Sequence, residues 1–476
     1  MADTLSFPEP HDVVKRKPSV RKYLRYLLFF GPGAILASMT IGQGQLILGP
    51  QIGAWAGYAL LWLITLNIGS YVIAYVGTRF TMLSGISIMD MFALKTRGGW
   101  INWLIIGIMA IFVPTFAAAI ITTLGHSLAW IFGVGHYLFW GVSFSLLAAM
   151  LALLGRYKVL EVSQAFFVAV LGIGAVASVA VLRPDLFEIL PHFLSIGDVP
   201  GYPAWVDTVP DFSKTPIPLS MLGYLGTLTI SIVPLVGYLG WIKVKRWGIF
   251  RGSPDPDGLS ERLFSRYRQD GGIRYLPDGS EEIHKSRLLL RPLMVDLAVA
   301  FVIVSLVSAA YMIAGADRLG QNIPTDVDLI KRQAVIFSDM AGWLKPLYQV
   351  SVAFALFGTV YSAFEAASRM LYETGKTVRA GIGRLPYKRF MLYFLIYVLA
   401  LGIPLAVLMY TGLSVLLVLS LTLLFIGVVG VVIYGVAALV MTQTVLPPAY
   451  RLTRTGAVVA AACIALLVLP AVFFFV

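Results

Sequence analysis

Eight stretches of this 476-residue chain contain no Asp, Glu, Lys or Arg. They run from Tyr26 to Thr78, Gly98 to Gly155, Val162 to Leu182, Thr215 to Ile242, Leu297 to Ala316, Pro346 to Phe364, Phe390 to Tyr450 and Thr455 to Val476. A helix that crosses a bilayer needs about 20 largely apolar residues, so each stretch accommodates at least one. The three longest, of 53, 58 and 61 residues, each contain a turn signal: Gly49-Pro50 with Gly53, the Gly133 to Gly135 segment, and Tyr410-Thr411-Gly412. Read as two spans apiece, they bring the expected total to eleven.

Composition agrees: 58% of the residues are hydrophobic and 13% are charged, which excludes a soluble globular chain. The single cysteine, Cys463, rules out an intrachain disulfide and a thiolate cluster. The net charge of +12 would suit a nucleic-acid surface, but its distribution points elsewhere. No apolar leader precedes the polar N-terminus, which is expected to stay in the cytosol. With that start, 30 of the 36 Lys+Arg fall on the cytoplasmic side and six outside, as the positive-inside rule requires. The expectation is a multi-pass protein of the plasma (inner) membrane, N-terminus cytoplasmic and C-terminus outside, with lipid and no nucleic acid as its partner.

The divisions that follow are a cytoplasmic N-terminus (1–25), a first block of five spans (26–182), an external loop (183–214), a second block (215–450) and a final span (451–476). The external loop, rich in Pro and aromatic residues, reads as an ordered cap or, equally well, as a mere connector. The second block carries a cytoplasmic insert (243–291) with an amphipathic helix from Leu259 to Arg268 and an expected hairpin turning at Pro277-Asp278-Gly279. Asp255-Pro256-Asp257-Gly258 has the look of a calcium loop but lacks the remaining ligand positions, so it reads as a turn.

Every backbone polar group in a bilayer needs a partner, so a broken helix is tolerated only against protein or a cavity. Span 1 carries Ile41-Gly42-Gln43-Gly44-Gln45 at mid-depth, and span 6 carries Ser231-Ile232-Val233-Pro234-Leu235-Val236-Gly237. These are the first helices of the two five-span blocks. Paired interruptions at matching places mark the midplane site of an inverted-repeat transporter, with breaks expected at Gly42 to Gly44 and Val233 to Gly237. Taken singly, each would read as ordinary small-residue packing.

Gly31-Pro32-Gly33, Gly42-Gln43-Gly44-Gln45 and Gly53-Ala54-Trp55-Ala56-Gly57-Tyr58 resemble the first two helices of the Nramp-type metal-ion transporters. Ser84-Gly85-Ile86-Ser87, Lys158-Val159-Leu160-Glu161 and Val233-Pro234 match further pieces in order. The resemblance implies a LeuT-type all-α membrane fold, five plus five inverted-repeat helices and an eleventh, with spans 1 and 6 broken. It also implies a divalent metal cation as substrate.

The departures bear on the chemistry. Where the family has Asp-Pro-Gly-Asn in span 1, this chain has Gly42, Gln43, Gly44 and Gln45; where it has Met-Pro-His in span 6, this chain has Val233, Pro234 and Leu235. The acidic residues of the family's span 3 are absent from Ile101 to Leu124. What remains is neutral oxygen: Gln43 and Gln45 as weak metal ligands, through water, with Thr229, Ser231 and the free carbonyls of the unwound segments. Amides alone compensate poorly for a bare transition metal. Magnesium, which sheds water reluctantly, could pass hydrated through such a cavity, and a small polar or organic solute could use it as well.

Two carboxylates lie within spans. Glu365 is four residues before Arg369, on one helix face, and the pair reads as structural or as a proton carrier. Asp296, one turn inside span 7, reads as an interface residue. His126 and His136 have no second ligand at metal spacing, and Tyr238 and Trp241 suit an aromatic belt at least as well as a gate. No nucleophile with a base, phosphate loop or cofactor motif occurs, so neither enzyme nor cofactor is expected. Three classes stay open: a transporter of a divalent cation without proton coupling, a transporter of a small solute, and a non-transporting receptor on the same scaffold.

Overall fold

The computed structural model describes residues 5–155, 157–208, 215–320, 330, 331, 334, 342 and 344–475. It is helical, with no strand among the described residues. We number the helices by span. The first is split into α1a (Pro32–Thr40) and α1b (Gln43–Ala56), followed by α2 (Ile68–Ser84), α3 (Trp100–Phe132), α4 (Tyr137–Leu154) and α5 (Tyr157–Leu182). The second block has α6a (Ile217–Leu228), α6b (Ile232–Lys245), α7 (Arg291–Arg318), α8 (Leu344–Val378), α9 (Tyr387–Tyr410) and α10 (Val415–Thr444), and α11 (Arg454–Val472) follows.

Ten helices among the described residues are long and apolar enough to cross a membrane. The segment predicted from Tyr26 is not among them because its halves have only nine and 14 residues. Glycine lets these helices approach closely. A Cβ on Gly53 of α1b would overlap the Met312 carbonyl of α7, and one on Gly315 of α7 would overlap the Pro50 carbonyl of α1b. Small residues replace the hydrophobic drive that is missing between helices in lipid.

One face of the bundle gathers the N-terminus, the insert and the adjoining helix ends. The Leu5 amide donates to the Tyr275 carbonyl (2.9 Å), the Tyr275 hydroxyl to the Ser84 carbonyl (2.6 Å), and the Tyr450 hydroxyl to the Pro277 carbonyl (2.5 Å). On the opposite face the loop 183–214 packs onto the helix ends: Trp62 Nε1 donates to the Asp198 carbonyl (3.0 Å) and Thr65 Oγ1 to the Phe193 carbonyl (2.7 Å). Residues 209–214 of that loop lie outside the described residues.

Two expectations for the insert resolve differently. The amphipathic helix forms, extended to Pro256–Asp270, with Asp255 as its N-cap accepting from the Gly258 amide at 3.0 Å. The Asp-Pro-Asp-Gly motif is therefore a helix start. The hairpin does not form. A helix, Ser280–Leu289, begins immediately after Gly279, because Glu281 and Glu282 in its first turn and Arg287 in its last complement the helix dipole.

Candidate functional site

The two breaks open into one cavity of about 50 Å³. Thr40 and Gly44 border it from span 1, and Thr229, Ser231, Val233 and Pro234 from span 6. The break in span 1 falls at Ile41-Gly42, at the start of the expected region. That in span 6 falls at Thr229 to Ser231, ahead of the expected Val233 to Gly237. Pro234 is not the breaker. It occupies the first turn of α6b, where a missing backbone N–H costs nothing because no intrahelical acceptor exists there.

Thr229 and neighbouring helices together satisfy the unwound backbone of span 6. Of the last four carbonyls of α6a, Leu225 accepts from the Thr229 amide (3.0 Å), Gly226 from Thr229 Oγ1 (3.2 Å) and Thr227 from Gln45 Nε2 (2.8 Å). The Ile230 amide donates to Ser70 Oγ of α2 (3.1 Å). Thr229 Oγ1 also reaches the Gly427 carbonyl at 2.7 Å, within a π-helical turn of α10, Leu424–Val429. Such turns leave carbonyls unsatisfied and cluster at functional positions.

The expected site residues separate into groups. Gly44, Thr229, Ser231, Val233 and Pro234 line the cavity. Gly42 instead abuts Thr359 of α8, 2.5 Å from where its Cβ would lie. Gln45 is fully buried and does not line the cavity; the Thr227 carbonyl can only accept, which fixes the amide orientation and leaves Gln45 Oε1 buried without a partner. Gln43 opens α1b, and its side chain lies outside the described residues.

Glu365 and Arg369 form the expected ion pair. Arg369 Nη2 stands 2.6 Å and Nε 2.8 Å from Glu365 Oε1, and Trp241 Nε1 donates to Glu365 Oε2 at 3.1 Å. Neither residue lines the cavity, although Phe364 and Ala367 beside them do. Trp241 and Tyr238 are fully buried, so the aromatic-belt reading is wrong for both. Tyr238 donates to Asp296 Oδ2 at 2.6 Å. Asp296, also fully buried, accepts from the Gly31 amide (2.9 Å) and the Gly33 amide (2.7 Å), and so caps the start of α1a. Nearby, Glu161 of α5 pairs with Lys245 at the end of α6b. His136 caps α4, and His126 stacks on Tyr137. Among the described residues no group of three or more His, Cys, Asp or Glu is arranged to hold a metal ion.

Sequence reasoning missed the remaining walls: Val113, Phe116 and Ile120 of α3, Val360 of α8, and Leu423 and Ile426 of α10. Apolar residues on buried helices carry no signal that separates a cavity wall from packing, but Pro114 inside α3 and Gly427 with Gly430 at the π turn were legible irregularities. A second cavity, of about 760 Å³, opens on the N-terminal face between the insert helix, the end of α8 and the helix Ile88–Lys95. It holds the pairs Lys243–Asp257 (3.0 Å) and Lys376–Glu373 (2.8 Å). Asp90 lies beside them, its carboxyl pushed up to about 6 by burial against the pull of Lys243 and Lys376.

Half-helices meeting end to end around a cavity, inside a bundle of membrane-length helices, define a secondary transporter. The sequence matches the family described as "Natural resistance-associated macrophage protein-like" over residues 33–476, and the chain belongs to this Nramp family. Its fold is the LeuT type. A histidine-to-alanine variant of the Eremococcus coleocola manganese transporter superposes with a TM-score of 0.64 at 16% identity, covering 96% of this chain and 87% of that one. A glutamate-to-glutamine variant of the same transporter gives 0.64 at 16%, covering 98% and 88%. Mhp1, a nucleobase-cation-symport-1 family transporter with bromovinylhydantoin bound, gives 0.51 at 14%, covering 94% and 90%. No curated protein sequence matches the chain.

Proposed function

We propose that the chain carries a divalent metal cation, Mg²⁺-like and partly hydrated, through the neutral cavity between the broken spans, without moving protons. The observation that carries this reading is the cavity's chemistry: among the described residues that line it, the polar ones are Thr40, Thr227, Thr229 and Ser231, with no carboxylate or imidazole and no thioether other than Met39. A water needs about 10–15 Å³ of such space, so the cavity takes roughly three to five. A hard cation that keeps several waters needs oxygen ligands only to complete its shell. Ser231 Oγ and the carbonyls at the helix ends are the candidates, and Gln45 Oε1, which has no partner but does not line the cavity, joins them only if its side chain turns.

Proton coupling needs a titratable group on the route. Glu365 has both oxygens engaged, by Arg369 and Trp241, and stands behind the wall. We also count the split span 1 as the eleventh crossing. The face that gathers the N-terminus and the insert is cytoplasmic, the C-terminus external, and the membrane the plasma (inner) membrane.

A second reading, transport of a small organic solute, is favoured by the apolar walls supplied by Met39, Phe116, Phe364 and Leu423. Purified protein in liposomes, screened with Mg²⁺, Mn²⁺ and uncharged solutes while an internal dye reports pH, separates the possibilities. Mg²⁺ influx at constant internal pH is expected. Substrate-dependent acidification abolished by Glu365→Gln would overturn the uncoupled mechanism, and solute uptake without cation flux would establish the second reading.

A further inference from the structure

The segment ahead of the membrane bundle carries an apolar stripe turned outward. Val20, Tyr23, Leu24, Leu27 and Leu28 follow the i, i+3, i+4, i+7, i+8 spacing of one helical face. They belong to the helix Val20–Tyr26 and the 3-10 turn Leu27–Phe29 that continues it. They are 78, 58, 61, 53 and 80% exposed, so the protein itself does not cover this face. Six cations, Lys15, Arg16, Lys17, Arg21, Lys22 and Arg25, surround the stripe, and between Asp12 and Asp90 the sequence has no acidic residue. Within the structure Lys15 pairs with Glu9, and Lys22 donates to the Arg16 carbonyl.

We propose that residues 15–28 form an interfacial anchor that binds anionic phospholipid in the leaflet next to the N-terminus. An exposed apolar face flanked by lysine and arginine is matched by a bilayer surface, where acyl chains take the stripe and phosphates take the cations. A cytosolic protein groove would complement the stripe but not six cations without an acidic surface of its own. The segment runs straight into Gly31 and α1a, so lipid held here restrains the half-helix that borders the cavity. Assignment to the cytoplasmic leaflet rests on the orientation proposed above; the lipid binding itself does not.

The test uses the full chain with Cys463→Ser and a polarity-sensitive fluorophore on Leu24→Cys. It is placed in nanodiscs of phosphatidylcholine alone or with one third phosphatidylglycerol, whose two faces are both open, so the outcome is independent of orientation. In anionic discs the emission shifts to the blue and resists aqueous iodide, and high salt weakens the effect by screening. Changing Arg16, Lys17, Arg21 and Arg25 to Gln lowers the anionic-lipid preference by about five-fold per cation removed. A probe equally open to iodide in both disc types overturns the proposal, as does protection that persists in detergent and disappears on dilution, which would show that a second copy covers the stripe. Arg16, Lys17 and Arg21 are exposed but Arg25 is half-buried, so Leu28→Ser, at an exposed position, serves as an independent variant. It is expected to reduce protection at unchanged charge.

Discussion

Replacing Asp296 tests whether one buried carboxylate holds the inner half of span 1 in place. In the native structure its oxygens receive Gly31 N–H at 2.9 Å, Gly33 N–H at 2.7 Å and the Tyr238 hydroxyl at 2.6 Å. Asp296→Ala removes the shared acceptor of three buried donors, a loss of about 1–3 kcal/mol for each donor that finds no substitute. Relief from burying the carboxyl group returns part of that loss, leaving a net of about 2–4 kcal/mol. If the loss falls on the attachment of α1a, the population with α1a detached rises about 30- to 700-fold. The assay is the alkylation rate of Ile35→Cys, a fully buried position on α1a, in a Cys463→Ser background. A buried control cysteine at Val398 of α9 reports general loosening. Asp296→Asn should act more weakly, because its one carbonyl oxygen still serves the pair of donors on the Oδ2 side. Equal acceleration at both cysteines, or at neither in a folded variant, would refute the reasoning.

Three further outcomes follow from the same geometry. Gly44→Ala places a Cβ inside the volume of the Thr227 side chain, so it should abolish flux and lower stability by about 1–3 kcal/mol, with Thr227→Gly restoring both in a transport and thermal-melt comparison. Calorimetric titration with Mn²⁺ should give weak or absent binding, since Gly42 and Val233 offer no side-chain ligand atoms; micromolar binding lost on Gln45→Ala would contradict this. Burial raises the Asp90 carboxyl from 3.8 to about 6, so the folded state holds the extra proton and stability declines as pH rises from about 4 through 6. Asp90→Asn should remove that slope and melt higher than the parent at neutral pH, the two converging near pH 4.

Much of the helix layout was legible because a bilayer disfavours charge along a span: the charge-free stretches contain α3 and α4 whole, whereas α7 (Arg291–Arg318) and α8 (Leu344–Val378) run past theirs into charged turns. Gly42 and Gly44 also disclosed the first break, but only because a second interruption stands at the matching place in span 6; alone they read as small-residue packing. Pro234 misled. A proline interrupts a helix only from within, and nothing in the sequence states that α6b begins two residues earlier. The insert misled in the same manner: Pro277-Asp278-Gly279 suits a hairpin turn, yet Glu281, Glu282 and Arg287 favour a helix directly after it. Asp296 could be read as a structural residue but not as a cap on α1a, because its partners are backbone amides more than 260 positions away.

The placement of charge explains why the cavity is neutral while the bundle still buries carboxylates. Asp296 holds the start of α1a and Tyr238 of α6b, Glu365 holds Trp241 of α6b, and Glu161 pairs with Lys245 at the end of α6b. Each therefore acts on a half-helix on the N-terminal side of the cavity and none on its contents. Carboxylates bound to the cargo would set its affinity, whereas carboxylates bound to the half-helices set how readily those helices separate. Substitution at Asp296, Glu161 or Glu365 should accordingly change the maximal transport rate far more than the substrate concentration giving half of it. Substitution at Ser231 should do the reverse, because its hydroxyl is a neutral oxygen that borders the cavity.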